Sequence, residues 1–102
     1  MTDNSKKPPT TPKPLFALGR VVATPGAMST MSEFDILPLT LIHRHATGDW
    51  GDLGADDQQQ NLLAIRSGLR IFSSYKLSAS TKIWIITEAD RSSTGLLLPD
   101  EY

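Results

Sequence analysis

Few residues in this sequence could carry out acid–base chemistry. The chain of 102 residues has two histidines and no cysteine. A metal-independent ribonuclease needs a general acid, a general base and cations around the scissile phosphate. The candidates for these roles are His43, His45, Glu88, Arg70 and Arg91. The histidines would act as acid or base, the glutamate as the partner carboxylate and the arginines as phosphate-binding groups. The alternative is structural: histidines that close a helix, and a glutamate in a turn.

Other catalytic chemistries find little support in the sequence. Side chains two residues apart on a helix point ~200° away from each other, so His43 and His45 cannot share a metal ion within one helix. The chain has no Gly-x-Ser-x-Gly turn, no phosphate-binding loop and no dinucleotide-binding glycine motif. The lack of cysteine excludes disulfides, thiol nucleophiles and zinc sites with sulfur ligands. We therefore expect no metal and no cofactor.

A loop rich in glycine and aspartate is the strongest candidate for a binding surface. Three glycines and two aspartates surround Trp50 in residues 48–54. A tryptophan in such a loop is typical of a core anchor or of a binding hot spot. We predict that Asp49, Trp50 and Asp52 contact a partner. Four aspartates fall within nine residues here, so the surface could mimic phosphate charge; simple solvation of these aspartates is the alternative.

The composition is that of a small, nearly neutral protein. Hydrophobic residues make up 39% of the chain and charged residues 21%, with a net charge of -1. These values predict one domain without a strong overall field for nucleic acid. The apolar runs are too short to span a bilayer, and the amino terminus lacks the apolar stretch of a signal peptide. We expect a cytoplasmic location, no membrane contact and at most weak nucleic-acid binding.

The amino-terminal residues 1–14 differ from the rest of the chain. They contain four prolines and three lysines, and no large apolar side chain follows Met1. Such a segment cannot bury enough apolar surface to offset the entropy of folding. We predict a disordered arm over residues 1–14 and a single domain over residues 15–102.

Helical patterns dominate the first half of that domain. The sequence predicts a short strand at about residues 20–23 and helices at about 25–33, 38–47 and 56–67. Proline at the first helical position begins the first two helices, and glycine follows the second and the third. The expected buried stripes are Ala27, Met28, Met31 and Phe34 in the first helix, Leu39, Leu41 and Ile42 in the second, and Leu62, Ile65 and Leu69 in the third.

After Gly68 the pattern changes from helical to alternating. Strands are predicted at about residues 70–77, 81–88 and 93–98, with the second one central and buried on both faces in its middle. Their short connections favour an antiparallel meander. The predicted fold is therefore α+β, with three helices packed on one face of a three-stranded antiparallel meander. A fourth, short amino-terminal strand could join the sheet.

Three stretches carry a family resemblance: LGRVVATPGA at residues 18–27, HATGDWGDL at 45–53 and WIITEADRS at 84–92. With the closing LLPDEY, they resemble a family of small proteins found on plasmids and integrative elements of proteobacteria. Its members are labelled plasmid-related or type I restriction endonuclease subunit M. The resemblance covers about residues 15–102. It implies a mobile-element setting but no particular activity, so it assigns no site residue.

The function predicted from the sequence is that of a non-catalytic binding or regulatory accessory protein of a mobile genetic element. It would act by protein–protein interaction, or weakly on nucleic acid, through the loop at residues 48–54 and the edge of the sheet. The partner would be a host protein or a protein encoded by the element. The alternative is a small metal-independent ribonuclease with the layout of barnase-like or RelE-like toxins.

Overall fold

The computed structural model of this protein describes residues 13–102. The predicted arm lies outside the described residues except for Lys13 and Pro14, which are exposed. The helices are α1 (Pro25–Glu33), α2 (Pro38–Ala46) and α3 (Ala55–Ser67). The strands are β1 (Arg20–Ala23), β2 (Ile71–Ser78), β3 (Thr81–Thr87) and β4 (Ser93–Leu97), and a 3-10 turn (Pro99–Glu101) follows. Within the described range, no helix has the length and apolar character needed to cross a membrane.

Local signals in the sequence set the helix ends. The Thr24 side chain accepts a hydrogen bond from the backbone N–H of Ala27 and caps α1, with Pro25 at the first helical position. Gly68 ends α3 in the left-handed conformation, at φ 68°, where a residue without Cβ is unstrained. The three predicted helices are thereby confirmed.

The sheet is four-stranded and mixed, in the order β1-β4-β3-β2. The antiparallel pairing of β2 with β3 and of β3 with β4 agrees with the sequence prediction. The prediction of a purely antiparallel three-stranded meander is wrong in detail, because β1 joins the sheet parallel to β4. All three helices lie between β1 and β2 in the chain, and this long connection lets β1 reach the far edge in parallel orientation.

The helices pack against one face of the sheet. The larger core cluster joins side chains of α1 and α2 to those of the strands: Ala27, Met31, Leu41, Ile42, Tyr75, Ile83, Ile85 and Leu96. A second cluster joins Trp50 and Ala64 to Ile71. Strands β2, β3 and β4 therefore have one face in the core, and their alternate residues lie on the opposite face of the sheet. Strand β1 contributes only the half-buried Ala23 to the core.

Several predicted core positions on the helices are exposed. They are Met28, Phe34, Leu39, Leu62 and Leu69, whose exposed fractions range from 38% to 72%. The two shorter helices contact the sheet through a narrow arc, so only part of each apolar stripe is buried. On α3 the buried residues are Asn61 and Ala64, because this helix lies against the edge of β2 through a polar side chain.

The outer edge of β2 is paired at Phe72 and Ser74. Asn61 Nδ2 donates to the carbonyl of Phe72 at 2.7 Å, and the N–H of Phe72 donates to Asn61 Oδ1 at 3.1 Å. Two residues further on, Ser74 N donates to the Trp50 carbonyl at 3.2 Å and the Ser74 carbonyl accepts from Asp52 N at 2.7 Å. The side chain of α3 and the loop thus replace a fifth strand at this edge.

Candidate functional site

The sheet face opposite the helices, which we call the open face, carries side chains in rows across the strands. Strand register and alternation place Arg20, Ser93, Glu88 and Arg70 in the first row, followed by Val22, Gly95, Ile86 and Phe72, then Leu97, Trp84 and Ser74, and finally Lys82 and Lys76. The two middle rows are mainly apolar. Charged rows border them at both ends.

Three aromatic side chains, the aromatic cluster, gather on the open face. The Phe72 and Trp84 rings meet edge to face with centroids 5.0 Å apart, and the Tyr102 ring lies 5.9 Å from that of Trp84. These three residues, Arg70 and Ile86 line a cleft of about 230 Å³. This volume is smaller than the roughly 300–1,000 Å³ of pockets for drug-sized ligands. The cleft suits one planar group, such as an aromatic ring or a nucleobase.

Four cationic side chains lie in the two outer rows of the open face. Arg70 is held in place, since its guanidinium donates to the Tyr102 hydroxyl at 2.7 Å and to Glu88 at 3.3 Å. At the other end, Lys76 and Lys82 are register partners on neighbouring strands. Like charges directly opposite each other destabilise a sheet. Within residues 13–102, neither these lysines nor Arg20 has a carboxylate within 4.0 Å, so the open face presents positive charge that an anion could neutralise.

The two histidines lie in different environments. His45 is fully buried: its Nδ1 hydrogen-bonds Ser73, and its Nε2 lies 2.9 Å from the hydroxyl of Thr87. Burial lowers the pKa of His45 to about 4, because the charged form loses its hydration. Its ring is therefore neutral at neutral pH. His43, by contrast, is exposed on α2.

The neighbouring hydroxyl groups determine which ring nitrogen of His45 carries the proton, because each hydroxyl has only one hydrogen to donate. The Thr94 hydroxyl donates its only hydrogen to the Leu18 carbonyl at 2.7 Å, so it accepts from Thr87, also at 2.7 Å. Thr87 must then accept from Nε2–H of His45, and Nδ1 accepts from the hydroxyl of Ser73. Both ring nitrogens of His45 and the hydroxyls of Thr87 and Thr94 have partners in this arrangement, which makes His45 a core residue.

The residues considered for a ribonuclease do not converge. His45 bonds to side chains on the helix side of the sheet, whereas Glu88 and Arg70 lie together on the open face. Arg91 donates to four backbone carbonyls around the end of α3 and the turn after β3, which occupies its guanidinium. The sheet therefore separates the buried base from the proposed partner carboxylate.

The loop at residues 48–54 is built around a buried tryptophan. Trp50 is 4% exposed and its indole N–H donates to the His45 carbonyl at 3.1 Å, so it is a core anchor. The Asp49 carboxylate accepts from Arg44 at 2.6 Å, and this hydrogen bond lowers the pKa of Asp49. Asp49 and Asp52 are exposed, and their contact with a partner stays a prediction.

Metal binding finds no support in the part of the chain that the structure describes. No group of three or more His, Asp or Glu side chains there is placed to hold an ion. Comparison with protein-family models, curated proteins and solved structures finds no match to this chain. The resemblance to plasmid and integrative-element proteins stays a prediction.

Proposed function

We propose that this chain is a non-catalytic binding protein that takes up single-stranded nucleic acid on the open face of its sheet. The observation that carries the proposal is the aromatic cluster bordered by cations. Proteins that bind single strands stack bases on aromatic side chains and hold the backbone with positive charge. A role as accessory protein of a mobile genetic element belongs to the same proposal.

The aromatic cluster supplies the surfaces for stacking. Tyr102 is 70% exposed and Trp84 is half-buried, so a base can reach the tyrosine ring and the cleft beside it. Unpaired bases expose their faces, whereas those in a duplex are stacked on each other. A single strand therefore fits this surface better than a duplex does.

The charges favour a nucleic-acid ligand over a second copy of the same face. Two such faces in contact would bring their lysine rows and Arg20 side chains into one apolar interface, where unpaired charges are costly. Phosphates would instead neutralise them. Glu88 pairs with Arg70, and Asp100 shares a groove with Lys82, which reduces the positive charge. We therefore expect modest affinity that falls with salt.

The proposal is tested with a fluorescently labelled single-stranded oligonucleotide in an anisotropy titration. Tyr102→Ala should weaken binding by about 1–3 kcal/mol, the usual value for one stacked base. Lys76→Ala should reduce the slope of log affinity against log salt by roughly 0.7, the value for one phosphate contact on a single strand. The folded state of each variant is checked by circular dichroism.

Matched controls come from the helix side of the molecule. Leu39 is 72% exposed on α2 and Arg66 is exposed on α3, so Leu39→Ala and Arg66→Ala remove comparable groups elsewhere. Both should bind like the wild type. Absence of binding by the wild type, or equal losses in the variants and the controls, would contradict the proposal.

A further inference from the structure

The two edges of the sheet differ in how their backbone groups are used. Asn61 and the segment at residues 50–52 pair with the β2 edge at Phe72 and Ser74. At the other edge, β1 pairs only with β4 among residues 13–102. Arg20 N donates to the Ser92 carbonyl and Thr24 N to the Leu96 carbonyl. The intervening alternate residues, Val21 and Ala23, therefore direct their N–H and C=O groups away from the sheet.

The outer edge of β1 is also apolar. Val21 is 42% exposed and Val22 is 46% exposed, one on each face of the sheet. An exposed edge strand with unpaired backbone groups is a template for another strand, and proteins commonly protect such edges with charge, proline or a covering segment. None of these is found within β1 itself except Arg20 at its start.

We propose that β1 pairs with β1 of a second copy of the chain, antiparallel across a two-fold axis, to join the two sheets into one of eight strands. In this pairing Val22 lies opposite the second copy's Val22, and Val21 lies opposite the second copy's Ala23. The axis is perpendicular to the sheet, so both helix layers lie on the same side. The apolar middle rows of the two open faces then meet at Val22.

The register follows from the backbone. With Val22 on the axis, the outward N–H and C=O groups of Val21 and Ala23 in both copies find partners, which gives four hydrogen bonds. With Val21 on the axis, Ala23 would face Gly19, whose φ of 64° is not extended, so only the central pair of bonds would form. The chosen register also places Arg20 opposite the second copy's Thr24, and no like charges oppose each other.

The amino-terminal residues of the same chain are a poorer occupant of this edge. Residues 1–12 contain three prolines, which lack the N–H that a paired strand donates. Their only large apolar side chain is Met1, so they offer little to cover Val21 and Val22. A β1 strand of a second copy supplies both the donors and the apolar side chains.

The lack of cysteine in the chain allows a direct test of the register. Val22 and its counterpart would form a non-hydrogen-bonded pair, with Cα atoms about 4.5 Å apart, within the range that a disulfide spans. The full-length Val22→Cys variant should form a cross-linked dimer upon mild oxidation. Leu39→Cys, at a more exposed position on α2 (72% against 46% for Val22), should cross-link several-fold less. Non-reducing gel electrophoresis measures both.

Sedimentation of the cysteine-free wild type completes the test. Across a concentration series it should show a species of twice the mass of one chain, and Val22→Lys should shift that equilibrium towards the monomer by placing two positive charges on the axis. The proposal is overturned if the wild type stays a monomer at every concentration, or if Val22→Cys and Leu39→Cys cross-link equally. Neither result depends on nucleic-acid binding.

Discussion

His45 is a titratable residue that is buried in the core and held there by hydrogen bonds at both ring nitrogens. Its ring is fully buried between Ser73 and Thr87, and it lies perpendicular to the Phe16 ring, with centroids 5.3 Å apart. The hydrogen bonds fix one neutral tautomer. Because the native arrangement uses Nδ1 as an acceptor, adding a proton there removes the bond from Ser73 and places a charge on a fully buried ring.

This arrangement predicts acid sensitivity of folding. The pKa of His45 is lowered from its ordinary 6.5 to about 4 in the folded protein, so the unfolded chain binds the proton more readily between these values. Stability should therefore fall as the pH decreases from about 6.5 to about 4, by about 3 kcal/mol from this group. Denaturant unfolding at a series of pH values measures the change.

The exposed histidine provides the control for that measurement. His43→Gln should leave the stability at pH 7 close to that of the wild type, because this side chain is exposed in the folded protein. His45→Gln should be less stable at pH 7 and show a flatter profile between pH 6.5 and 4. A wild-type profile that is already flat over this range would disprove the buried neutral role of His45.

At the scale of elements, the segment at residues 50–52 acts as a short strand along β2. Gly51 forms a parallel bridge with Ser74 and has a φ of 74°. A Cβ added to Gly51 would lie 2.1 Å from the Ser74 carbonyl oxygen. Glycine is therefore required at this position for two reasons, its backbone conformation and the close approach of the strand.

Gly51→Ala should destabilise the protein by at least about 2 kcal/mol. The left-handed conformation alone costs an alanine roughly 1–2 kcal/mol, and the clash would push the loop from β2 and loosen Trp50. Gly54→Ala is the matched control, since nothing lies within 4 Å of its added Cβ and its φ is -69°.

As the N-cap position of α3, Gly54 should tolerate alanine at a cost of about 1 kcal/mol or less. Thermal and denaturant unfolding of both variants provide the comparison. Equal effects of the two substitutions would show that the loop does not depend on close pairing with β2.

The sequence predicted where the helices and strands lie along the chain better than it predicted which of them lie side by side in the fold. Proline and glycine at helix ends are local signals, so α1, α2 and α3 could be placed from the chain alone. The position of β1 beside β4 is a long-range pairing without such a signal. On α3 the sequence indicated Ile65, which packs against the second core cluster, but it missed Asn61, a polar residue whose burial depends on the edge of β2.

The candidate site was only partly visible in the sequence. Alternation placed Phe72 on one face of β2 and Trp84 on one face of β3, but it could not show that the two faces coincide. That depends on register. The return of Tyr102 over Trp84 depends on the turn at the end of the chain. The glycine-rich loop was distinctive in composition, but composition alone could not show that Trp50 is buried in the core.

For the molecule as a whole, the distribution of charge matters more than its sum. The net charge of -1 gave no reason to expect more than weak nucleic-acid binding. The structure separates the charges: cations border the open face, whereas Asp49 and Asp52 lie in the loop beyond the β2 edge and Asp56 and Asp57 lie in the first turn of α3. A local positive surface can thus exist on a slightly acidic chain.

The two tryptophans provide the most direct test of the central claim, that the open face binds single-stranded nucleic acid. In an NMR titration of the ¹⁵N-labelled full-length protein with a single-stranded oligonucleotide, each indole N–H gives its own signal. The Trp84 signal should shift progressively, because its ring belongs to the aromatic cluster. The Trp50 signal should stay in place, because its N–H is bound to the His45 carbonyl inside the core. A shift of the Trp50 signal with an unchanged Trp84 signal, or no shift of either, would contradict the account.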